Sequence, residues 1–345
     1  MTNGTDPSLT LARHCLLYTF ILDGVFNWIL LMIGFAGNAL TCLVVWKDRK
    51  MSAMSLLMIN LAVVDTLILL IWTSQTAIPA FCNYFKGCQL YYRIKRAIWI
   101  YGWPFGTTVQ LIGTWSIVSI TFSRFVSVCW PSRASHLNSR RHILMRTLAM
   151  HIGCIVFSSF RFAEVYIVYD DNGNMLYRKT ALASSVIYKY VYTLAFYYAI
   201  TYLVPLSMLM YFTVRLIINL REINKRRQEM SRKAKERSDL TFSLIIVVVI
   251  FMFCQLPNPI RRLLYVIYAP LRIRCGTPYF YFSSWTVTLV NFNSSCNFFI
   301  FCLCSPGFRR QLKQMIIRRG RVGPLGLSNA VNNGRVNSVS SRISS

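Results

Sequence analysis

Residues 56–81 read LLMINLAVVDTLILLIWTSQTAIPAF, a long apolar run interrupted by one carboxylate, that of Asp65. About 20 apolar residues form a helix long enough to cross the roughly 30 Å hydrocarbon core of a bilayer. Every backbone amide in lipid must be hydrogen-bonded within the protein, and a single segment achieves this only as a helix. The run therefore predicts a transmembrane helix. Its carboxylate requires a polar neighbour, because a buried acid costs about 2.5–3.5 kcal/mol on insertion scales.

Six further runs of this kind divide the chain. They lie at 22–46, 98–128, 144–168, 190–218, 240–267 and 279–303. The composition agrees, since 55% of the residues are hydrophobic and 14% are charged, against about 25% charged residues in soluble domains. The sequence predicts an all-α membrane protein, a seven-transmembrane helix bundle, with little chain left for a soluble domain.

The net charge of +27 indicates which side of the membrane the loops occupy. Lys and Arg concentrate after the first span, between the third and fourth spans, in 221–237 and in 309–321, and an excess of these residues marks cytoplasmic loops. Nucleic acid is therefore not needed to explain the charge and is excluded as a partner. We expect a multi-pass protein of the plasma membrane with an extracellular N-terminus and a cytoplasmic C-terminus.

The spans divide the chain into an extracellular N-terminus at 1–20, a seven-helix domain at 21–303 and, at its end, a polar tail at 321–345. The tail is polar and is expected to be disordered. Asn3 begins an N-glycosylation sequon, Asn3-Gly4-Thr5, which agrees with an extracellular N-terminus. No cleavable signal pattern precedes the first span, so we expect that span to act as an uncleaved signal anchor.

Polar and proline residues inside the spans need an explanation. Asp65 has two interpretations: a structural hydrogen-bonded contact with Asn38, or a site for water or a cation such as Na⁺, shared with Asn293 and Asn297. Both interpretations place the carboxylate inside the bundle. Pro257 leaves a carbonyl without its helical donor and predicts a kink in the sixth helix.

Six short motifs, in order along the chain, resemble those of the rhodopsin-like family of G-protein-coupled receptors. They are Gly37-Asn38, NLAVVD at 60–65, Ser123-Arg124-Phe125 followed by VCWP at 128–131, FMFCQLP at 251–257, NSSCNFFIF at 293–301 and SPGFRRQL at 305–312. Each motif alone is weak. Six of them in the expected spans cover almost the whole chain and are specific.

The resemblance implies coupling to heterotrimeric G proteins, with Arg124 as the central contact, and a short amphipathic eighth helix at 304–320. The serines of the tail are either phosphorylation sites that serve desensitisation, with arrestin as a partner, or merely solvated. The basic loop 221–237 is also expected to contact anionic membrane lipids. The implied activation switch consists of Asn38, Asp65, Phe251, Gln255, Pro257, Asn293, Asn297 and Phe301.

Several positions depart from the family pattern. Ser123 stands where the family has an acid, and Arg237 stands at the sixth-helix site that often pairs with Arg124. Neither can hold Arg124 in an ion pair, so either basal activity is elevated or packing and hydrogen bonds hold the inactive state. Further departures are Gln255 for tryptophan, Phe298 for proline and Phe301 for tyrosine.

The disulfide that joins the third helix to the second extracellular loop in most of the family is not expected here. Trp99 occupies the helix position, and no cysteine lies between Cys154 and Cys254. The cysteines expected to face the outside are Cys15, Cys82, Cys88 and Cys275. Four cysteines allow three sets of pairings. The short loop between Cys82 and Cys88 favours the set that joins these two.

The motifs also bear on the ligand. Gly106 stands where aminergic receptors carry an aspartate, and Asn291 stands where opsins carry the retinal-binding lysine, so both classes are excluded. Segments 254–257, 293–298 and 161–164 resemble invertebrate FMRFamide-type neuropeptide receptors. This resemblance implies an extracellular peptide ligand.

The predicted ligand-binding residues are Gln110, Glu164, Asn258, Arg262 and Tyr265. Glu164 lies three residues after Arg161 on one helix face, so it either contacts the peptide or forms an intrahelical ion pair. A basic cavity favours a carboxylate, whereas an arginine-rich amidated peptide would need more acids than this region holds. The two indications disagree, and the ligand sequence stays open.

Two other classes of function were weighed. An enzyme or transporter is disfavoured, because no internal repeat is visible and His151 is the single histidine within the spans. Neither an acid–base pair nor a cofactor site can be assembled from these residues. The alternative within the same fold is a chemosensory receptor for a small environmental ligand, which the missing disulfide, Ser123 and Phe301 would suit.

Restoring the acid at position 123 tests the missing charge lock. We expect Ser123→Asp to lower basal G-protein signalling in transfected cells, because a carboxylate beside Arg124 can hold the inactive state. Basal signalling equal to that of the wild type, at matched surface expression, would count against a missing lock.

Overall fold

The computed structural model describes residues 7–47, 53–171, 175–225, 232–268 and 275–320. Seven helices in these ranges are long and apolar enough to cross a membrane, which confirms the seven predicted spans. Four of the helices are continuous: α2 (Ala53–Phe85), α3 (Gln89–Cys129), α4 (Arg140–Ser159) and α7 (Pro278–Cys304). Three consist of several segments: α1 (Pro7–Thr19, π-helical Phe20–Phe26 and Asn27–Trp46), α5 (π-helical Tyr188–Phe196 and Ala199–Leu203, then Val204–Lys225) and α6 (Arg232–Gln255 and Pro257–Tyr268). A further helix, α8 (Pro306–Gly320), follows α7. Short helices at Pro131–Leu137 and Ala181–Ser184 lie in the connections.

The bundle is arranged around α3. In α3 72% of the most apolar window is buried, whereas in α4 the share is 17%, so α4 lies at the periphery and presents most of its surface to lipid. The main core joins α2, α3, α6 and α7 through Leu57, Val126, Phe251 and Phe301. In a membrane such contacts stabilise the bundle through close packing, because the lipid itself is apolar.

The chain after α4 forms a hairpin and not a continued helix. A 3₁₀ turn, Phe160–Ala163, ends α4, and strand β1 (Val165–Tyr169) pairs antiparallel with β2 (Met175–Lys179). The predicted span 144–168 is therefore wrong beyond residue 163. The residues of β1, Val-Tyr-Ile-Val-Tyr, are β-branched and aromatic, which suits a strand as well as a lipid-facing helix.

We call the end of the bundle that carries this hairpin the hairpin end, and the opposite end, where α8 follows α7, the α8 end. The hairpin is attached at its base, where the Thr180 amide donates to the Glu164 carbonyl at 3.0 Å. A side chain also attaches it to α3, because the Arg96 guanidinium donates to the Met175 carbonyl. The hairpin therefore holds Glu164 close to α3 and α5.

Within the predicted N-terminal segment 1–20, the chain is helical from Pro7, where α1 begins. Two disulfides secure the hairpin end, Cys15–Cys275 with a Cα–Cα distance of 5.9 Å and Cys82–Cys88 with 5.2 Å. Tyr18 adds to the first contact, since its hydroxyl donates to the Tyr281 carbonyl at 3.3 Å. The first pair links α1 to the start of α7, a connection that loop length alone did not favour.

The sixth helix is broken at the predicted proline. Leu256 forms a turn, and Pro257 opens the second helical segment as its first residue. Proline is tolerated there, because the first N–H groups of a helix have no helical acceptor. The break divides α6 into a half at the α8 end and a half at the hairpin end.

The eighth helix begins at Pro306, two residues after the predicted start at 304. Ser305 caps it by accepting a hydrogen bond from the Phe308 amide at 3.3 Å. Phe308 is buried against Phe301, with ring centroids 5.8 Å apart. Asn3 and the tail 321–345 lie outside the described residues.

The two disulfides are expected to differ in their contribution to stability. Cys15–Cys275 closes 260 residues and Cys82–Cys88 closes six, and a longer closed loop removes more entropy from the unfolded state. The double variant Cys15→Ser/Cys275→Ser should therefore lower the thermal midpoint in detergent by several degrees more than Cys82→Ser/Cys88→Ser. A larger loss from the short loop would contradict this ranking.

Candidate functional site

Arginine, glutamate and tyrosine side chains form one group at the hairpin end, which we call the arginine–tyrosine cluster: Arg161, Glu164, Tyr188, Tyr197 and Arg262. Arg161 Nε lies 3.8 Å from Glu164 Oε1, which is the intrahelical pair that the sequence spacing allows. The Tyr188 hydroxyl donates to the same Glu164 oxygen at 3.0 Å. The Glu164 side chain is 25% exposed, so the carboxylate is held by two elements and still reaches the open end of the bundle.

Tyr197 connects the two arginines of the cluster. The Arg161 and Arg262 guanidinium carbons lie 4.6 and 4.1 Å from the centre of its ring. Arginine over an aromatic face is attracted by the ring quadrupole, most strongly where water is excluded, and Tyr197 is buried. The ring therefore holds α4 and α6 together through α5.

A second group, the amide cluster, lies at the break of α6. The Gln255 Oε1 atom accepts from Gln110 Nε2 on α3 and from Asn258 Nδ2, each at 3.1 Å. Gln255 precedes Pro257 and Asn258 follows it, so the cluster joins both halves of α6 to α3. Gln255 and Asn258 are buried, and a buried amide oxygen that lost both donors would carry a desolvation cost.

Arg261 adds a third guanidinium to the hairpin end. Its Cζ lies 5.6 Å from the centre of a Trp103 ring, and its backbone carbonyl accepts from the Tyr279 hydroxyl at 3.4 Å. The side chain of Tyr265, the remaining predicted ligand contact, lies outside the described residues. Four of the five predicted ligand residues thus divide between the arginine–tyrosine cluster and the amide cluster.

Asp65 lies in the middle of the bundle and is 2% exposed. Its Oδ2 accepts from Asn297 Nδ2 at 2.7 Å, while Asn38 donates to the Ser294 carbonyl at 3.2 Å. Both bonds reach α7, so α1 and α2 contact the same turn of that helix. Asn38 contributes to the contact with α7 without bonding the carboxylate itself. This arrangement is compatible with both interpretations of Asp65, the structural contact and the site for water or a cation.

The surroundings of Asp65 fit a small hard cation or a water. Asn293 Oδ1 and Asn297 Oδ1 are buried without a hydrogen-bond partner, and the Ser294 hydroxyl lies within hydrogen-bonding reach of the Asp65 carboxylate. Carboxylate, amide and hydroxyl oxygens are the ligands that such cations take. These atoms are the candidate donors for Na⁺ near Asp65.

Hydrogen bonds surround Ser123 at the α8 end, next to the buried Arg124. Arg146 donates to Ser123 Oγ at 2.6 Å, and Asn138 Nδ2 donates to the Ser123 carbonyl at 2.8 Å. Arg146 lies within α4, inside the predicted span 144–168 and next to the apolar residues Leu144, Met145 and Leu148.

The remaining switch residues are in the core. Phe251 and Phe301 are 2% and 1% exposed and belong to the same core as Val126 of α3. They bring α6 and α7 against the helix that carries Arg124, so a movement of α6 requires this packing to change.

Seven spanning helices, a broken α6 and a buried carboxylate bound to α7 define the class of the protein: a seven-transmembrane receptor. The family model for the serpentine type 7TM GPCR chemoreceptor Srw matches residues 25–319. The chain belongs to this family of G-protein-coupled receptors. It is therefore a receptor and not an enzyme.

Individual relatives are similar over most of this chain at low identity. An FMRFamide receptor of Drosophila melanogaster is 24% identical over 345 residues, which cover 92% of this chain and 59% of the relative. A probable G-protein coupled receptor of Caenorhabditis elegans is 24% identical over 91% of this chain and 72% of its own length. A rhodopsin of Scyliorhinus canicula is 24% identical over 70% of this chain and 66% of its own.

The contact between Asp65 and Asn297 can be tested by a double-mutant cycle. Asn297→Ala leaves the buried carboxylate without its amide donor and should lower the free energy of unfolding by about 1–3 kcal/mol. Asp65→Ala/Asn297→Ala should cost less than the sum of the two single changes, because the contact is lost only once. Thermal unfolding in detergent measures this, and additive losses would contradict a direct contact.

Proposed function

We propose that the protein is a plasma-membrane receptor for a peptide, of the neuropeptide kind, that activates heterotrimeric G proteins. The observation that carries the proposal is the family match over 25–319, which includes every element of the site described above. The similarity to an FMRFamide receptor supports a peptide as the ligand class. In the proposed orientation the hairpin end is extracellular and the α8 end is cytoplasmic, as the loop charges predict.

The charges at the hairpin end favour a ligand with an anionic group. Arg161, Arg261 and Arg262 contribute three positive charges to the end of the bundle that holds the Glu164 carboxylate. A free C-terminal carboxylate or an acidic side chain can form charge-assisted hydrogen bonds with guanidinium groups. The proposed ligand is therefore a peptide with a carboxylate that approaches Arg262, while Glu164 accepts a cationic or amide group of the same peptide.

The amide cluster offers a route from this site to the opposite end. A ligand that draws Arg262 away from Tyr197 acts on the half of α6 that begins at Pro257, and Asn258 in that half bonds to Gln255 across the break. Agonist binding then shifts a pre-existing equilibrium in which the half of α6 toward the α8 end moves away from α3. Arg124 becomes accessible to the G protein in that state.

Hydrogen bonding around Ser123 is our candidate for what replaces the charge lock. Arg146 of α4 and Asn138 both bond to Ser123, the residue beside Arg124. These bonds stabilise the inactive arrangement with no carboxylate, so basal activity need not be high. Of the two alternatives that the sequence left open, this contact favours hydrogen bonding.

Other partners belong to the same proposal. Arrestin is expected to bind the tail at 321–345 after phosphorylation of its serines. The basic segment 221–237, whose described residues belong to the end of α5 and the start of α6, is expected to contact anionic lipids of the inner leaflet. Glycosylation at Asn3 is expected on the extracellular side.

The second candidate function is a chemosensory receptor for a small environmental molecule. It is favoured by the family description, which is that of a chemoreceptor family. The two candidates share the fold and the G-protein step and differ only in the molecule that reaches the arginine–tyrosine cluster.

A signalling assay in cells distinguishes these candidates. The receptor is expressed with a panel of G-protein subtypes and treated with free-acid and amidated peptides and with small carboxylic acids. Arg262→Gln and Glu164→Gln should reduce agonist potency by about tenfold or more, because each removes a charge-assisted contact. Arg178→Gln, an exposed position of β2 on the same side, is the matched control and should leave potency unchanged.

Activation by a peptide that Arg124→Ala abolishes would support the peptide receptor. Activation by small acids alone would support the chemosensory candidate. Equal potency at the wild type and Arg262→Gln, with equal surface expression, would contradict the proposed binding site.

A further inference from the structure

A cavity of about 520 Å³ lies outside the ligand site, on the lipid-facing side of the bundle between α3, α4 and α5. This volume is within the range of about 300–1,000 Å³ that small-molecule sites occupy. We call it the α3–α4–α5 groove. Its walls are mainly apolar, and they include Leu111, Phe122, Met150, Phe157 and Met208.

Three helices line the groove, and α4 contributes one face of its helix. The lining residues of α4 are Arg146, Met150, Gly153, Cys154 and Phe157, which recur at three- and four-residue intervals on one helix face. Gly153 borders open space, because a Cβ added there would meet no atom within 4 Å. The groove is therefore a recess in the α4 surface that faces α3.

Polar groups without partners distinguish this recess from an ordinary lipid-facing surface. Arg146 lines the groove, donates to Ser123 Oγ at 2.6 Å and lies over the Phe122 ring at 5.1 Å. Its Nε is nevertheless buried without an acceptor, and the Ser119 hydroxyl, on the α3 wall, is buried without a partner as well. Each of these two donors is buried without an acceptor, which is unfavourable. An anionic group bound in the groove would supply the missing acceptor.

We propose that the α3–α4–α5 groove binds the acyl chain of a free fatty acid, whose carboxylate accepts hydrogen bonds from Arg146 Nε and the Ser119 hydroxyl. A guanidinium edge matches the planar carboxylate, which neutralises the charge that Arg146 brings into the membrane. The carboxylate lies beside Ser123, one residue from Arg124, so the fatty acid is a modulator of the α8 end and not the agonist.

The volume of the groove matches a single acyl chain. A methylene group and a water molecule are similar in size, and at about 30 Å³ for each water the groove holds about 17 such groups. One chain of 16 to 18 carbons fills this space, whereas the two chains of a phospholipid would need about twice the volume. The groove opens toward lipid, so a fatty acid dissolved in the bilayer reaches it without crossing water.

Binding of oleate to the purified full-length receptor, in detergent and followed by native mass spectrometry, tests the proposal without any agonist. The wild type should take up one oleate saturably, and oleyl alcohol, which has the same chain without the charge, should bind about tenfold more weakly or less. Arg146→Gln should weaken oleate by a similar factor, whereas Arg141→Gln, an exposed arginine at the start of α4, should not.

Filling the recess gives a second variant that keeps the charge. Gly153→Leu should abolish saturable binding of oleate, and its matched control is Gly307→Leu, since a Cβ at Gly307 of α8 also meets no atom within 4 Å. Both variants should retain the thermal midpoint of the wild type.

Three kinds of result would contradict the proposal, each at a different point. Equal binding in Gly153→Leu and the wild type would mean that oleate binds elsewhere on the receptor surface and would overturn the proposal. Equal binding of oleyl alcohol and oleate, or of Arg146→Gln and the wild type, would overturn the role given to the carboxylate. Absence of saturable uptake by a folded wild type would overturn the site altogether.

Discussion

The satisfaction of polar groups inside a medium that offers no water is the constraint on which the structure depends. It requires each of the seven spans to be a helix, because a helix satisfies its own backbone hydrogen bonds. Side chains then have to provide the polar contacts between helices. The bond of 2.7 Å from Asn297 to Asp65 is the deepest example, since it joins α2 to α7 where both partners are buried. The same constraint places function, because a polar atom left without a partner marks a position where an ion, a water or a ligand can bind.

The arrangement at the hairpin end follows from the same rule applied to arginine. Three guanidinium groups are tolerated near the membrane because tyrosine and tryptophan rings cover them, with Tyr197 between Arg161 and Arg262. Aromatic rings do not neutralise the charges of Arg261 and Arg262, so an anionic ligand gains from reaching them. The amide cluster lies directly on the α6 break, so a change at Arg262 has a short path to the helix that must move.

Much of this architecture could be predicted from residues alone. The number of hydrophobic runs equals the number of spans, and the polar or proline residues inside them (Asp65, Gln255 and Pro257) indicate where the site and the helix break lie. The hairpin could not, because a run such as Val-Tyr-Ile-Val-Tyr is apolar enough for a helix and β-branched enough for a strand. Nor could the hydrogen bond from Arg146 to Ser123, because the sequence places Arg146 in the fourth span without showing which side chain it contacts. Pairings between distant segments, such as Tyr197 with two arginines or Cys15 with Cys275, depend on the tertiary structure, and a single sequence carries no signal for them.

The central claim is that a ligand at the arginine–tyrosine cluster moves α6 at the opposite end of the bundle. The most direct measurement is the distance between nitroxide labels at positions 141 of α4 and 242 of α6, both exposed, by double electron–electron resonance on the purified receptor. The account predicts that an activating ligand adds a population of longer distances, and that Gln255→Leu, which removes the amide cluster, reduces that population. An unchanged distance distribution with a ligand that does activate the G protein would contradict it.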